Sequence, residues 1–571
     1  MQMRDFVVRF AGEGGQGVVT SAEGLAQTAT NAGYHALTFA TFPSQILGGP
    51  TWTQARISVS PILSAGDDVD VLVVFNREAY DTHQSEVREG GVVIFNSNEF
   101  QLEDDSRGFG LPVEELAKST GNNRAANMVI MGALAHLVDM PMDYLEEFVT
   151  KRFSRGRSGD DEIIRSNIQG LNLGRAHLSE SGFSVGELAP PEPPKETQIM
   201  LKGNEAICLG ALAAGLDFYA GYPISPATTV LLYMERNLVG PGKIAYQVSS
   251  EIESITTLLG AGFAGKKCMT ATAGPGISLM SEGLGLAWMA EIPMVIVDVQ
   301  RGGPATGLPT KTEQSDLMSC MFPAHGDVRL PIIAVGTVDE CFYGAIKALN
   351  WAEKYQGPVV LMSEMSLAER VQNIPKPDLS KIEVEDRLVY QGTNGYKRYA
   401  GFELSPMPLP GGPGSYVANG SEHDDMGDTT HLAERHIQMT QRRFSKIHLL
   451  EEDDYEQEQP EASVALLPWG GSKGPAQEAY RELQEAGVPI AWYYTMFLNP
   501  LPPKMLEELR NKDLVIVPEL NYQGQFAGIL RSLGVKAEAI TQYTGLPFKV
   551  RDLVAQVKDM VGASQKEMIR A

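Results

Sequence analysis

The stretch Phe218-Tyr-Ala-Gly-Tyr-Pro-Ile-Ser-Pro226 joins a short apolar run to two prolines spaced three residues apart. The apolar run predicts a buried strand over Phe218–Ala220. Each proline fixes its own φ and biases the residue before it toward extended geometry, so the side chains between them are presented rigidly after that strand. In open α/β sheets this edge is where ligands bind. The stretch therefore predicts an α/β sheet with a ligand site, or, as the plainer alternative, a proline-stiffened turn into a helix.

Short apolar runs of the same kind recur along the chain and alternate with helical stretches. Strand, helix and strand in this order imply parallel sheets with right-handed crossovers. We therefore predict an α/β fold with three α/β domains and mainly parallel sheets. The predicted strands are Phe6–Phe10, Val69–Phe75, Gly91–Phe95, Phe218–Ala220, Lys267–Thr272, Pro293–Val299, Val359–Met362, Ala462–Pro468, Ile490–Tyr494 and Leu514–Pro518, and the predicted helices include Ser21–Ala32 and Pro475–Ala486.

The length of the chain and its segments rich in proline and glycine suggest the domain organisation. The chain has 571 residues, and 43% of them are hydrophobic, which is enough for several buried cores. At roughly 150 residues per domain this length corresponds to about four units. Four prolines fall within 187–196, and residues 371–460 are rich in proline, glycine and charge. The sequence predicts domains over 1–186, 197–370 and 461–571, a stiff linker over 187–196 and a connecting arm over 371–460.

Charge and cysteine usage exclude some classes of protein. The formal net charge is −24, which repels nucleic-acid backbones and anionic lipid, so we expect neither a nucleic-acid nor a membrane partner. The start, MQMRDFVVRF, lacks the pattern of a secretory signal. The cysteines show no knuckle spacing and no disulfide framework, which predicts reduced thiols and a cytoplasmic protein. They are Cys208, Cys268, Cys320 and Cys341.

A glycine-rich loop follows the first predicted strand and opens a helix. Its sequence, Gly12-Glu-Gly14-Gly15-Gln-Gly17, has the spacing of a dinucleotide-binding fingerprint. An NAD site also needs an acid about 20 residues further on, and the region Asn31–Thr41 has none. The loop is then either a tight turn that needs small residues or a cradle of backbone N–H groups for a phosphate or carboxylate. NAD binding here stays a third alternative.

Three further motifs surround the proline stretch in the middle of the chain. Gln247-Val-Ser-Ser-Glu251-Ile-Glu253 precedes a predicted helix, and Met269-Thr-Ala-Thr-Ala-Gly-Pro-Gly-Ile-Ser278 joins a strand to a turn of small residues. Gln300-Arg301-Gly-Gly-Pro-Ala-Thr-Gly-Leu-Pro-Thr310-Lys311 is a glycine-rich loop that carries a guanidinium and several hydroxyls. Arginine suits bidentate recognition of a carboxylate. Together the motifs predict a site for an anionic ligand.

In this order the four motifs resemble the alpha subunits of 2-oxoacid:ferredoxin oxidoreductases. The N-terminal third resembles the gamma domain of the same family, through the glycine loop, Pro43-Ser44, Gly48-Gly49 and Ala55-Arg-Ile-Ser58. Residues 462–562 resemble the transketolase C-terminal-like domain. A gamma domain fused in front of alpha is typical of the 2-oxoglutarate type. The resemblance implies a thiamine pyrimidine-type domain over 197–370.

The resemblance also implies roles for individual residues. Family members have YPITP where this chain has Ser225, which keeps the hydroxyl that contacts the substrate carboxylate. Arg301 and Thr310 match the loop residues that hold that carboxylate. The segment Tyr222-Pro223-Ile224 matches residues that line the thiamine cofactor.

Glu251 matches the family's glutamate that faces the thiamine aminopyrimidine. A carboxyl bonded to a ring nitrogen there promotes the imino tautomer of the cofactor. Glu253, on the same short segment, is the alternative. The family's gamma domain is associated with coenzyme A, so the resemblance implies that Gly12, Gly14, Gly15 and Gly17 face CoA.

Part of the expected active site is absent from this sequence. Gly159-Asp160-Asp161 with Asn167 has the wrong spacing for a magnesium and diphosphate motif, and four isolated cysteines do not make a cubane site. The acidic stretch around His423 is interpreted as a solvated loop, so no metal site is predicted in this chain. The resemblance then implies a beta subunit that carries Mg²⁺, the diphosphate site and a 4Fe-4S cluster. It also implies that the enzyme is a dimer of alpha-beta heterodimers. Since ferredoxins are typically acidic too, we expect ferredoxin to dock on that subunit.

The resemblance implies an enzyme that converts 2-oxoglutarate, CoA and oxidised ferredoxin reversibly to succinyl-CoA, CO₂ and reduced ferredoxin. The same chemistry on pyruvate, branched-chain or aryl 2-oxoacids is the nearest alternative. A non-catalytic scaffold that binds thiamine or a nucleotide is an alternative of another class.

Overall fold

The computed structural model describes residues 2–43, 48–192, 194, 196–392, 396–402 and 404–570. Ser44 of the predicted gamma-type motif, and Pro193 and Lys195 of the predicted linker, lie outside the described residues. The chain divides into two compact units. Unit 1 comprises Met1–Leu201 and Arg370–Lys376, and unit 2 comprises Lys202–Glu369 and Pro377–Ala571.

The strands, in chain order, are β1 (Gln2–Met3), β2 (Asp5–Glu13), β3 (His35–Thr41), β4 (Pro50–Ser58), β5 (Val69–Val74), β6 (Val87–Asn96), β7 (Gly108–Leu111), β8 (Glu187–Leu188), β9 (Gln198–Lys202), β10 (Phe218–Gly221), β11 (Ile244–Gln247), β12 (Cys268–Thr272), β13 (Met294–Gln300), β14 (Ile332–Ala334), β15 (Pro358–Glu364), β16 (Val371–Pro375), β17 (Glu456–Glu458), β18 (Val464–Leu466), β19 (Ala491–Tyr494), β20 (Phe497–Asn499), β21 (Leu514–Glu519) and β22 (Ala537–Thr541).

The α-helices are α1 (Val18–Asn31), α2 (Arg77–His83), α3 (Val113–Ser119), α4 (Ala126–Leu137), α5 (Met142–Phe153), α6 (Asp160–Ser179), α7 (Gly203–Ala213), α8 (Thr228–Asn237), α9 (Glu251–Phe263), α10 (Gly274–Ala290), α11 (Leu317–Met321), α12 (Val338–Tyr355), α13 (Met365–Ala368), α14 (Ala433–Ser445), α15 (Lys473–Glu485), α16 (Pro503–Arg510), α17 (Gln525–Ser532) and α18 (Val550–Arg570).

Unit 1 is built on a mixed sheet of eight strands among the described residues, in the order β7-β6-β5-β2-β4-β3-β16-β9. The predicted strands of this region are confirmed as β2, β5 and β6, and the predicted helix as α1. Their apolar side chains form the core with the helices, for example Phe6, Phe10, Leu25 and Val71. β2 and β4 are antiparallel, whereas β2 and β5 are parallel. The first residues of the predicted linker form β8, which pairs with β1.

Unit 2 contains a seven-stranded sheet, within the part of the chain described, in the order β11-β10-β12-β13-β15-β14-β20. All its neighbouring strands are parallel except β14 and β20. The next strand in the chain after β10, β11, lies on one side of β10, and the following strand, β12, lies on its other side. The order of the strands therefore reverses at β10 and β12, and in open α/β sheets ligands bind in the crevice outside the carboxyl ends of the strands at such a point.

The tail of unit 2 has a five-stranded sheet over the described residues, in the order β17-β19-β18-β21-β22. The predicted strands of this region are confirmed as β18, β19 and β21, and its predicted helix as α15. The α/β fold class with mainly parallel sheets is likewise confirmed. No helix in the described part of the chain is long and apolar enough to span a membrane.

The segment 371–460 is more ordered than its composition indicates. Its first residues form β16 in the sheet of unit 1, and α14 belongs to unit 2. Tyr399, Met439 and Arg442 are fully buried, so this segment supplies core residues as well as a connection. The boundaries given for the three domains, the linker and the arm stay predictions.

Candidate functional site

Three loops converge at the strand ends where the seven-stranded sheet reverses its order. β10 is followed by Tyr222–Pro226, β12 by Ala273 and the first turn of α10, and β13 by Arg301. Because parallel strands end at the same edge of a sheet, these loops share one crevice. Tyr222 and Ser225 are exposed there, and Pro223 and Ile224 are half-buried.

Arg301 links two of these loops. One of its Nη atoms donates a hydrogen bond to the backbone oxygen of Ser225 at 2.6 Å. The side chain is only 7% exposed, and its Nε has no hydrogen-bond partner among the described residues. Burial lowers the pKa of Arg301, and the nearby Asp316 carboxyl partly opposes that shift. Thr310 is half-buried on the same loop. A buried guanidinium with a free donor is suited to receive an anion.

Glu251 and Glu253 both lie in the first turn of α9, but their surroundings differ. Ser250 caps the helix, its hydroxyl accepting from the Glu253 N–H at 3.2 Å. The Glu253 carboxylate in turn accepts hydrogen bonds from the Ser249 N–H at 2.7 Å and from the Ser249 hydroxyl at 2.5 Å. These bonds hold the pKa of Glu253 below its ordinary value. Glu253 is therefore occupied in a local cap, whereas Glu251 is 6% exposed and accepts no hydrogen bond from any described residue.

The surroundings of Glu251 leave space for a cofactor ring whose nitrogen could form a hydrogen bond with the carboxyl group. A Cβ on Gly276 would come within 2.9 Å of the Glu251 Cγ and 1.9 Å of the Thr272 Oγ1, so the absence of a side chain at Gly276 makes room for both. The Thr272 hydroxyl is buried without a partner among the described residues. Buried polar atoms are normally hydrogen-bonded. This carboxyl and hydroxyl are positioned to receive hydrogen bonds from a bound ring such as the thiamine aminopyrimidine.

A cavity of about 870 Å³ opens beside this crevice in unit 2. The loop after β13 and the start of α10 line one part of it, and loops of the tail line another. Its charged lining residues are Arg301, Glu313 and Asp316. Tyr522 and Tyr543 line the part formed by the tail, and their ring centroids are 5.2 Å apart. The sequence analysis missed Glu313 and Asp316, although both lie in the polar stretch Thr312–Asp316 directly after the predicted loop.

The glycine loop lies in unit 1 and is a locally satisfied turn. The Gly14 N–H donates to the Gly49 oxygen at 3.2 Å, and the Gln16 side chain accepts from the Glu13 N–H at 2.7 Å. Gly15 and Gly17 have φ values of 98° and 85°, a conformation that favours glycine. No side chain caps the start of α1 at Gly17. The loop geometry explains the glycines without a ligand, while the uncapped N–H groups of α1 remain suited to an anion.

The two acidic stretches that the sequence analysis rejected as metal sites have structural roles. Asp160, at the start of α6, accepts hydrogen bonds from the backbone N–H groups of Arg155 and Arg157. The expectation of a solvated loop around His423 was wrong, because its ring is fully buried and lies 4.2 Å from the ring of Tyr399. Among the described residues no group of three or more His, Cys, Asp or Glu side chains is arranged to hold a metal ion. All four cysteines are buried, and none of them forms a disulfide bond in the described part of the chain.

Comparison with known proteins places this geometry in context. Residues 209–442 match the family model described as pyruvate flavodoxin/ferredoxin oxidoreductase, thiamine diphosphate-binding, and residues 7–177 match the model described as pyruvate ferredoxin/flavodoxin oxidoreductase. The 2-oxoglutarate oxidoreductase subunit KorA of Mycobacterium tuberculosis is 31% identical, over 96% of this chain and 90% of that protein. Subunit alpha of 2-oxoacid:ferredoxin oxidoreductase 2 of Aeropyrum pernix is 28% identical, over 99% of each chain.

A solved structure is similar over nearly the whole chain. It is the 2-oxoglutarate:ferredoxin oxidoreductase from Magnetococcus marinus, with 2-oxoglutarate, coenzyme A and succinyl-CoA bound. The TM-score is 0.93 at 36% sequence identity, and the match covers 98% of this chain and 100% of the other.

Proposed function

Since the chain belongs to the family of 2-oxoacid:ferredoxin oxidoreductase alpha subunits, we propose that it acts on 2-oxoglutarate. The reaction is the reversible conversion of 2-oxoglutarate, CoA and oxidised ferredoxin to succinyl-CoA, CO₂ and reduced ferredoxin. The observation that carries this proposal is a pair of groups at the sheet edge. Glu251 is 6% exposed and its carboxylate accepts no hydrogen bond from the described residues, and the buried Nε of Arg301 has no partner among them. A scaffold subunit has no need to keep a buried carboxylate and a buried guanidinium N–H available to a ligand.

Glu251 is proposed to hold the thiamine cofactor through its aminopyrimidine ring. Its buried carboxyl accepts no hydrogen bond from the described chain, so a ring nitrogen is a fitting partner. Tyr222, Pro223 and Ile224 border the same crevice and are proposed to line the cofactor. When bound, thiamine diphosphate supplies the electron sink that makes loss of CO₂ from a 2-oxoacid feasible. The chain's own part is to orient the ring and to hold its proton-accepting tautomer.

Arg301, Ser225 and Thr310 are proposed to bind the C1 carboxylate of the substrate. The Arg301 contact to the Ser225 backbone at 2.6 Å fixes the guanidinium while leaving its Nε free. Arginine presents its donors in a planar fork that matches a carboxylate. Ser225 is exposed at the crevice, and Thr310 is half-buried on the arginine loop.

The glycine loop of unit 1 is proposed to face coenzyme A through Gly12, Gly14, Gly15 and Gly17. Support comes from the uncapped start of α1, whose N–H groups favour an anion such as a CoA phosphate. The solved relative from Magnetococcus marinus has CoA bound.

A separate beta subunit is proposed to complete the enzyme. It would carry the diphosphate site with Mg²⁺ and the 4Fe-4S cluster, in a dimer of alpha-beta heterodimers. The net charge of −24 disfavours the docking of an acidic ferredoxin on this chain, which is why we assign that contact to the beta subunit. The relatives named as alpha subunits support a heteromeric enzyme.

The experiment that tests the proposal uses the assembled enzyme. The chain is co-expressed with the neighbouring open reading frame, and CoA-dependent reduction of a viologen dye is measured with 2-oxoglutarate, pyruvate, branched-chain and aryl 2-oxoacids. We expect 2-oxoglutarate to have the highest kcat/KM. Preference for another 2-oxoacid would change the substrate but keep the reaction. If a complex loaded with thiamine and cluster turns over no 2-oxoacid, the proposed function is wrong.

A further inference from the structure

Asp316 lines the cavity beside Arg301, and the roles proposed above do not involve it. Its backbone N–H donates to the Gln300 Oε1 at 3.3 Å, which holds the residue at the end of β13. Its carboxyl lies over the first residue of α10, because a Cβ on Gly274 would be 2.7 Å from each of its two oxygens. The Oδ2 atom is buried and has no hydrogen-bond partner in the described part of the chain. This oxygen is therefore available to a group from outside the described residues, such as a bound molecule.

A second buried acid, Asp298, interacts with Asp316. Asp298 is 0% exposed on β13, and its Oδ2 accepts a hydrogen bond from the Cys320 Sγ at 3.4 Å. Burial and the Asp316 carboxyl raise the pKa of Asp298 well above its ordinary value. Because each of two neighbouring buried carboxyls disfavours the charge of the other, ionisation of Asp298 and Asp316 at the same time is unfavourable.

The surroundings of Asp316 make its protonated form more accessible than that of an aspartate in water. Burial first, and then the Glu313 carboxylate, raise the pKa of Asp316 to about 6, although the Arg301 guanidinium opposes this shift. The titratable groups that face it from β13, α11 and the loop between them are Asp298, Arg301, Glu313 and Cys320. A ligand that fills the cavity removes further water from the carboxyl and moves the pKa in the same direction.

We propose that Asp316 binds the C1 carboxylate of the substrate as a neutral acid, together with Arg301. This assignment rests on the proposed function, which places a 2-oxoacid in this cavity. The neutral carboxyl donates its O–H to a substrate oxygen, whereas the ionised form repels the substrate. Binding of the substrate is therefore accompanied by uptake of a proton by Asp316.

The consequence is an affinity that falls as pH rises. If the neutral form alone binds well, KM increases about tenfold for each pH unit above the pKa of Asp316. Asp316→Asn keeps the shape of the side chain and a hydrogen-bond donor but does not titrate. The variant is therefore expected to bind the substrate with a KM that does not change with pH.

The test measures KM for 2-oxoglutarate, or for the best 2-oxoacid found, with the assembled complex from about pH 6 to about pH 8. We expect KM of the natural enzyme to rise at least tenfold over this range and that of Asp316→Asn to stay level. Glu313→Gln is the matched control, because it removes a neighbouring negative charge without touching Asp316. It should keep the slope and move the midpoint to lower pH.

A second readout does not depend on a variant. Calorimetric titration of the natural complex with the 2-oxoacid, in buffers of different ionisation enthalpy, should reveal proton uptake on binding near neutral pH. A level KM and no proton uptake in the natural enzyme would overturn the assignment, as would an Asp316→Asn enzyme that retains the natural pH dependence. A loaded complex without turnover on any 2-oxoacid would instead contradict the proposed function, and this assignment with it.

Discussion

Two buried glutamates of unit 2 have opposite surroundings. Glu291, just after α10, accepts hydrogen bonds from Arg442 at 2.8 and 3.1 Å and from Lys446 at 2.9 Å, and its backbone oxygen accepts from Arg398 at 3.0 Å. Burial raises the pKa of Glu291, but the three cations outweigh it and hold that pKa below its ordinary value. Glu251, at the start of α9, is buried and accepts no hydrogen bond from the described chain.

This difference in hydrogen-bond partners indicates that Glu291 has a structural role and that Glu251 binds a ligand. A buried charge is costly unless it is paired or hydrogen-bonded. Glu291 has its partners within the chain and joins the segment after residue 371 to the end of α10. The partner of Glu251 must come from outside the described chain, which is expected of a residue that holds a cofactor. Substitution of the two residues should therefore affect different properties.

The largest effect is expected for Glu251→Gln. The amide cannot share a proton with a cofactor nitrogen as a carboxyl does, so kcat should fall about 10³-fold, a size typical of lost acid–base assistance. The melting temperature should stay level or rise, because a buried carboxylate without partners is removed. Dye reduction and thermal unfolding of the assembled complex measure the two. Glu253→Gln is the matched control, expected to weaken the helix cap slightly and to keep turnover near normal.

Glu291→Gln is expected to act on stability instead. Its loss leaves two arginines and a lysine buried without a counter-charge, which should cost about 3 kcal/mol of unfolding free energy. Denaturant unfolding of the purified chain or complex measures this change. An unaltered unfolding midpoint would show that the cations do not depend on Glu291.

Glu291 is also expected to make the stability of the protein depend on pH in the acid range. Because its folded pKa is below the ordinary value of 4.5, Glu291 contributes stability that is fully present above that pH and is lost as pH falls toward the folded pKa. Unfolding free energy should therefore decline below about pH 4.5 more steeply in the natural protein than in Glu291→Gln. Parallel pH profiles for the two proteins would contradict this.

A smaller effect is expected for Gly276→Ala, which places a Cβ 1.9 Å from the Thr272 Oγ1 and 2.9 Å from the Glu251 Cγ. Displacement of Glu251 should lower kcat about tenfold, since catalysis depends on placement to within an ångström. Gly260→Ala is the matched control in α9, where no atom lies within 4 Å of the new Cβ. It should keep turnover and raise stability by about 0.5 to 1 kcal/mol. Equal kcat values for the two variants would show that Gly276 does not serve Glu251.

Part of this arrangement was predictable from the sequence. Apolar runs identified the strands β2, β5, β10, β12 and β13, because strands covered on both faces of a sheet are mostly apolar. β3 and β16 were missed, since their apolar character is interrupted and their pairing is remote in sequence. For example, Asn373 on β16 accepts a hydrogen bond from the Ala36 N–H at 2.8 Å. A local pattern contains no signal for such a contact.

The site was predictable only in outline. Glu251 and Glu253 share one helical turn, and only the Ser249 hydrogen bonds reveal which of the two is occupied by the cap. Asp316 carries no spacing signal, because its place against Gly274 depends on the packing of two separate strand ends. Local motifs located the crevice, and tertiary contacts distinguished the free groups from the satisfied ones.

The most direct test of the account is hydrogen exchange at the C2 carbon of thiamine bound to the assembled complex, measured by NMR after rapid mixing with D₂O. The natural complex should exchange this proton rapidly without substrate, and Glu251→Gln should slow the exchange by about two orders of magnitude or more. An exchange rate in Glu251→Gln equal to that of the natural complex would contradict the role given to the unpartnered glutamate.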